Sequence, residues 1–178
     1  MEQERVLVIE GSESDNPKTN EFLKILEACN VKYHALVASA HVHAGQDFFN
    51  FVASLPERFI VFIGGMSLVA PGIISRTRYN MGRYDTMVFG VPTDPEARSA
   101  VEVLPQGTFV LTSGLNTVSP THGIQNNALA VAHFVFIVTG DTDIGEGLTA
   151  WYKNMKEKKP IKKFELDKDG LIPEKEKK

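Results

Sequence analysis

Cysteine is almost absent from the chain. Cys29 is the only one in 178 residues, so neither an internal disulfide nor a cysteine-based metal cluster can form within one chain. A secretory start is lacking too: Met1-Glu2-Gln3-Glu4-Arg5 is acidic and runs straight into a short apolar stretch, without the basic segment and apolar core of a signal peptide. The longest apolar run, Ala128 to Val138, has eleven residues and includes His133, whereas a bilayer demands about 20. A reducing cytoplasm is the expected home, with no membrane partner. Nor is there a broad basic face for nucleic acid. Residues 1–150 hold nine Lys or Arg against sixteen Asp or Glu, and duplex binding needs the opposite balance. The positive charge sits at the end, where residues 151–178 carry ten Lys against six acids. Such a stretch fits a solvated extension that packs on a neighbouring surface or frays.

What is present is the composition of a globular domain, 43% hydrophobic and 23% charged, long enough to bury a sizeable core. Short apolar runs alternate with helical patterns. Arg5–Glu10, Val31–Ala38, Phe59–Ile63, Met87–Val91 and Gly107–Thr112 have the character of buried strands. Phe22, Leu23, Ile25, Leu26 and Cys29 form one helical stripe, introduced by Pro17, and Phe48, Phe49, Phe51, Val52 and Leu55 form another. Ile124–Val138 is apolar on most sides, as a buried helix is, and Gly147–Glu157 is amphipathic. Strands and helices in this alternation predict βαβ units and a parallel sheet covered on both faces. The expected fold is a three-layer α/β domain of flavodoxin or Rossmann type, spanning residues 1–145. A C-terminal helical arm (146–160) and a charged tail (161–178) follow.

In an open parallel sheet, ligands bind beyond the carboxyl ends of the strands. Three such ends carry small polar or glycine-rich turns: Gly11-Ser12-Glu13-Ser14-Asp15, Ser39-Ala40-His41-Val42-His43 and Gly64-Gly65-Met66-Ser67. The first opens a helix, whose free N–H groups and dipole suit a phosphate, with Ser12 and Ser14 supplying hydroxyls. Asp15 repels a phosphate and suits either a helix cap or a ribose hydroxyl. A plain capped strand–helix turn accounts for the same residues. His41 at a strand end can carry a proton at neutral pH, or serve as an ordinary hydrogen-bonded histidine. His41 and His43 have a metal-compatible spacing, but no third ligand stands nearby in sequence. His122 precedes the long helix, His133 falls among its core positions, and His34 lies within a strand. Gly64-Gly65 permits close approach to a planar ring or merely a tight turn. Arg76, Arg78 and Arg83 supply cations if they fold over the site and are solvated otherwise.

In this order the turns resemble the aminoimidazole ribonucleotide carboxylase/mutase family of purine biosynthesis. The resemblance rests on Gly-Ser-x-Ser-Asp at 11–15, Ser-Ala-His at 39–41 and the glycine pair at 64–65. Leu104-Pro105-Gln106-Gly107 and Gln125-Asn126-Asn127 extend it over residues 5 to 160. It implies that Ser12, Asp15 and Ser39 handle the ribose phosphate end, that Gly11, Ser14, Ala40, Gly64, Gly65 and Ser67 line the substrate, and that His41 is the general acid/base. It implies carboxyl transfer to C4 of the aminoimidazole ring, from CO2 or from the N5-carboxyamino isomer. Such enzymes need no metal or organic cofactor, and usually assemble as octamers.

The chain departs from that pattern at defined places. The Arg or Lys that follows Ser-Ala-His in the family, and binds phosphate, is Val42 here. Losing a charge-assisted contact costs about 1.5–3 kcal/mol unless another cation replaces it, with His43, Arg76, Arg78 and Arg83 as candidates. The histidine-bearing loop of the mutase branch is absent. Gly64-Gly-Met-Ser67 aligns without a gap to the Gly-Arg-Ser-Asn of the CO2-using branch, with Met66 for its arginine, Ser67 on its serine and Leu68 for its asparagine. The segment from Val91 to Val103 is also shorter than the family's.

Overall fold

The computed structural model describes residues 4–39, 46–65, 69–94, 108–111, 120–154, 164–167 and 170–173. These residues form five parallel strands, β1 (Val6–Glu10), β2 (Tyr33–Val37), β3 (Phe59–Gly64), β4 (Met87–Pro92) and β5 (Thr108–Val110), in the spatial order β2-β1-β3-β4-β5. Every residue of β1 and β3 is buried, as continuous apolar runs covered on both faces must be. β2 lies at the edge and has three exposed residues in five.

Successive side chains point to opposite faces, so each strand feeds two cores. On one face Val6, Val8, Val61, Ile63, Phe89 and Val91 pack with three helices: α1 (Asn16–Ala28), α4 (Pro120–Thr139) and α5 (Thr142–Asn154). On the other, Leu7, Ile9, Ile60, Phe62 and Val88 meet α2 (Gln46–Ser54) and α3 (Ala70–Asn80). The result is a three-layer α/β fold, with α5 as the described part of the C-terminal arm.

Two helix starts and one hairpin depart most from the sequence expectation. α4 begins at Pro120, four residues early, because proline suits a first helical turn where no amide bond is needed. α5 begins at Thr142 rather than Gly147. Gly140 closes α4 at φ +66°, and the Asp141 carboxylate then accepts from the Asp143 amide at 3.0 Å, capping the next helix. Within the stretch expected to be a charged tail, β6 (Phe164–Asp167) and β7 (Gly170–Pro173) pair antiparallel. Asp169-Gly170 between two apolar runs is the hairpin signal that the lysine-rich composition concealed.

Gly147 shows how tightly α5 packs. A Cβ there would stand 2.5 Å from the carbonyl carbon of Cys29, at the end of α1. Cys29 itself is buried, which pushes its thiol up to about 11. Helix propensity alone favours alanine over glycine by about 1 kcal/mol. Overpacking against backbone costs about 1–3 kcal/mol and outweighs it. Gly147→Ala is therefore expected to lower stability by up to about 2 kcal/mol in urea unfolding; a stabilised variant would contradict this packing.

Candidate active site

The strand order reverses between β1 and β3, and at such a switch point the flanking loops diverge and leave a crevice at the carboxyl ends. Backbone bonds beyond the strands hold its walls. The Gly11 amide donates to Ile63 O at 2.8 Å, the Ala38 amide to Glu10 O at 2.8 Å, and the Thr93 amide to Gly64 O at 2.9 Å. The turns after β1, β2, β3 and β4 therefore start side by side. Glycine at position 11 eases this approach, since a Cβ would lie 3.3 Å from both Ile63 O and the Phe62 ring.

The first turn is a short 3₁₀ segment, Glu13–Asp15, leading directly into α1 with Pro17 in its first turn. Ser12 Oγ accepts from the Ser14 amide at 3.2 Å, and the two serine hydroxyls bond to each other. Both serines are exposed. Asp15 occupies the cap position of α1 yet makes no capping bond, and it is 8% exposed. Capping, one of the two roles open to it from sequence, is thus not what its carboxylate does.

Of the other expected site residues, Ser39 is half-buried beside the end of β1, and Gly64 and Gly65 follow β3. A Cβ on Gly65 would run into Asp94 Oδ2 and lie 3.3 Å from Thr93 Oγ1. Ala40, His41, Val42, His43, Met66, Ser67 and Leu68 lie outside the described residues. His122 is in the first turn of α4, with its side chain outside the description as well. His133 Nδ1 bonds to Leu129 O at 2.7 Å within α4, and His34 joins Arg5 (2.8 Å) to Glu57 (2.6 Å), so both have structural partners.

The arginines offered as replacement cations go elsewhere. α3 runs away from the carboxyl edge, so its end lies near the start of β4. Arg78 is fully buried there and donates to Glu57 O at 2.7 Å, and Arg83 donates to Pro56 O at 3.0 Å. Burial, with Arg83 alongside, lowers the Arg78 guanidinium to about 10. Arg76 lies over the Tyr79 ring, 5.7 Å from its centroid. Arg78 and Arg83 tie the loop before β3 to α3, and neither faces the crevice.

Four residues absent from the sequence reading stand at the carboxyl edge. Lys18, in the first turn of α1, donates from Nζ to Thr93 O at the end of β4. Thr93 and Asp94 flank Gly65. Glu10 ends β1 buried, with its Oε1 lacking a hydrogen-bond partner among the described residues. A polar pair after Val91-Pro92 was a legible signal; the reach of Lys18 across β3 was not.

This order of strands defines an open α/β protein of the flavodoxin-like class, with its switch point between β1 and β3. The particular family follows from comparison. A family model described as AIR carboxylase matches residues 5–158. N5-carboxyaminoimidazole ribonucleotide mutase of Escherichia coli (strain K12) is 30% identical over 158 residues, covering 84% of this chain and 86% of that protein. A crystal structure of Treponema denticola PurE superposes with a TM-score of 0.60 at 16% identity, covering 85% of this chain and 90% of that one. A second crystal structure, of a PurE2 variant from the same organism, gives 0.59 at 15%, covering the same shares of each chain. The two crystal structures share the fold. The chain belongs to the AIR carboxylase family of purine-biosynthetic enzymes, which includes the N5-carboxyaminoimidazole ribonucleotide mutases.

Gly65→Ala tests the crevice. The clash falls on the end of the Asp94 side chain, so the fold should persist, with a melting shift below about 4 °C. Displacing a positioned group by about 1 Å can cost up to about 100-fold, and affinity for aminoimidazole ribonucleotide should fall about 10- to 100-fold. Calorimetric titration showing unchanged binding would remove Gly65 from the site.

Proposed function

We propose that this protein transfers a carboxyl group to C4 of aminoimidazole ribonucleotide in de novo purine biosynthesis, from free CO2 or from N5 of the carboxyamino isomer. The observation that carries the reading is the set of backbone bonds gathering Gly11, Ala38, Gly64 and Thr93 at the β1/β3 switch point, in a chain of this family. The ribose phosphate lies toward Ser12 and Ser14, Asp15 accepts from ribose hydroxyls, and Ser39 and Ala40 continue that wall. The planar ring stacks against Gly64-Gly65, with Ser67 near its rim.

His41 is the proton carrier. As C4 attacks CO2, a C–C bond forms and C4 retains its hydrogen. The C4–H bond then breaks, its electrons restore the aromatic ring, and the imidazole takes the proton. Starting from the carboxyamino isomer, the N5–C bond breaks first, and protonated His41 donates to N5 as CO2 is released. The same histidine then recovers a proton from C4, so the cycle closes without another reagent. A histidine suits both directions because its ordinary pKa lies near neutrality.

Two features of assembly and place accompany the reading. Ile137 (74% exposed), Val138 and Tyr152 leave apolar surface on α4 and α5 that neighbouring subunits of an octamer would cover. The site of action is the cytoplasm, with CO2 or bicarbonate as the second small molecule. Val42, Met66 and Leu68 favour one competing reading, a different nucleotide or sugar phosphate on the same scaffold.

Incubation with aminoimidazole ribonucleotide plus bicarbonate, and separately with the N5-carboxyamino isomer, should yield the C4-carboxylated product in one of the two. No product from either at high enzyme concentration contradicts the proposal. His41→Asn should lower turnover by at least about 100-fold while leaving the thermal melt unchanged, as loss of a general acid/base predicts.

A further inference from the structure

We propose that Lys18 binds the phosphate of the substrate and supplies the positive charge that Val42 cannot. This inference rests on the ribonucleotide reading above.

The argument starts from the charge at the carboxyl edge. Glu10 and Asp15 are buried there, and Asp94 stands against Gly65. A phosphate dianion entering beside three carboxylates needs a cation close by. Residues 1–150 contain nine basic side chains, of which Arg98 lies outside the described residues. Arg5 bonds to His34 and Arg58 to Glu4, both before the starts of strands, while Lys32 precedes β2. Arg78 and Arg83 bind carbonyls before β3, Arg76 covers Tyr79, and Lys24 lies beside Glu21 two turns down α1. Among the described basic residues of 1–150, Lys18 is the one that reaches the carboxyl edge.

Its path is also the right one. α1 packs over β1, and Thr93 follows β4, with β3 between them. The Nζ bond to Thr93 O therefore reaches from the first turn of α1, which follows the serine turn, across the end of β3. A carbonyl is a neutral acceptor. Exchanging it for a phosphate oxygen gives a charge-assisted contact without moving the backbone. Lys18 is half-buried, and a lysine so placed can pack its aliphatic stem while its charged head stays near water.

The test is isothermal titration of the wild type, Lys18→Met, Lys18→Gln and Lys18→Arg with three probes. These are aminoimidazole ribonucleotide, ribose 5-phosphate, and the aminoimidazole ribonucleoside that lacks phosphate. Met and Gln should weaken both phosphorylated probes by about 10- to 100-fold and leave the nucleoside unchanged, whereas Arg should hold all three within a few-fold. Equal binding of the phosphorylated probes by wild type and Lys18→Gln would overturn the role of Lys18 and leave the carboxyl-transfer reading standing. Ribose 5-phosphate bound through Lys18, with the ribonucleotide refused, would do the reverse. A wild type that binds neither phosphorylated probe overturns both.

Discussion

Where β1 ends, the amide of Gly11 turns to Ile63 O, 2.8 Å away, instead of to solvent. This one bond continues the β1–β3 ladder past Glu10 and ties the first turn to the end of the neighbouring strand. Glycine favours it, because a Cβ would press on Ile63 O and the Phe62 ring together. The bonds from Ala38 to Glu10 and from Thr93 to Gly64 repeat the device on either side. Four loops of different sequence thus leave the sheet in fixed relation, and the family's substrate groups can be distributed over them. Rigid strands of continuous apolar residues set the frame, and loops carry the chemistry.

The two edges of the sheet divide the charged residues by purpose. At the amino edge, cations bind protein. Arg58 pairs with Glu4, Arg78 donates to Glu57 O from a fully buried position, and Arg83 reaches Pro56 O. At the carboxyl edge, Glu10, Asp15 and Asp94 gather. Glu10 Oε1 lacks a hydrogen-bond partner among the described residues, and Asp15 declines the capping bond its position allows. Buried carboxylates arranged in this way are the usual mark of a site built for something other than stability. Three of the sixteen acids of residues 1–150 thus stand at the carboxyl edge, where Lys18 donates to Thr93 O.

Much of this architecture was legible because parallel strands covered on both faces must be apolar throughout. Val6–Glu10, Phe59–Gly64 and Met87–Pro92 could scarcely be anything else, and the polar turns at their ends marked the crevice. The missed elements share a cause: their signals are local and short. Asp141 caps α5 through one carboxylate, Pro120 adds a single turn to α4, and two four-residue strands pair within a lysine-rich stretch. The side-chain errors have a different origin. Arg78 has the sequence environment of a solvated helix residue, and only the packing of α3 on the loop before β3 buries it. Lys18 gave no signal, because its partner Thr93 is 75 positions away and its importance comes from what lies between them. His41, Ala40 and Ser67 lie outside the described residues, so the family motif alone argues for them.

The central claim is that the β1/β3 crevice holds the ribonucleotide with its C4 presented to His41. A crystal structure of the protein with aminoimidazole ribonucleotide tests it most directly. The account predicts the ribose phosphate over Ser12 and the end of α1, and the ring against Gly64-Gly65. C4 should lie within reach of the His41 imidazole, about 3–3.5 Å or one water away. A nucleotide seated away from the carboxyl ends of β1 and β3, or one whose C4 faces no histidine, would contradict it.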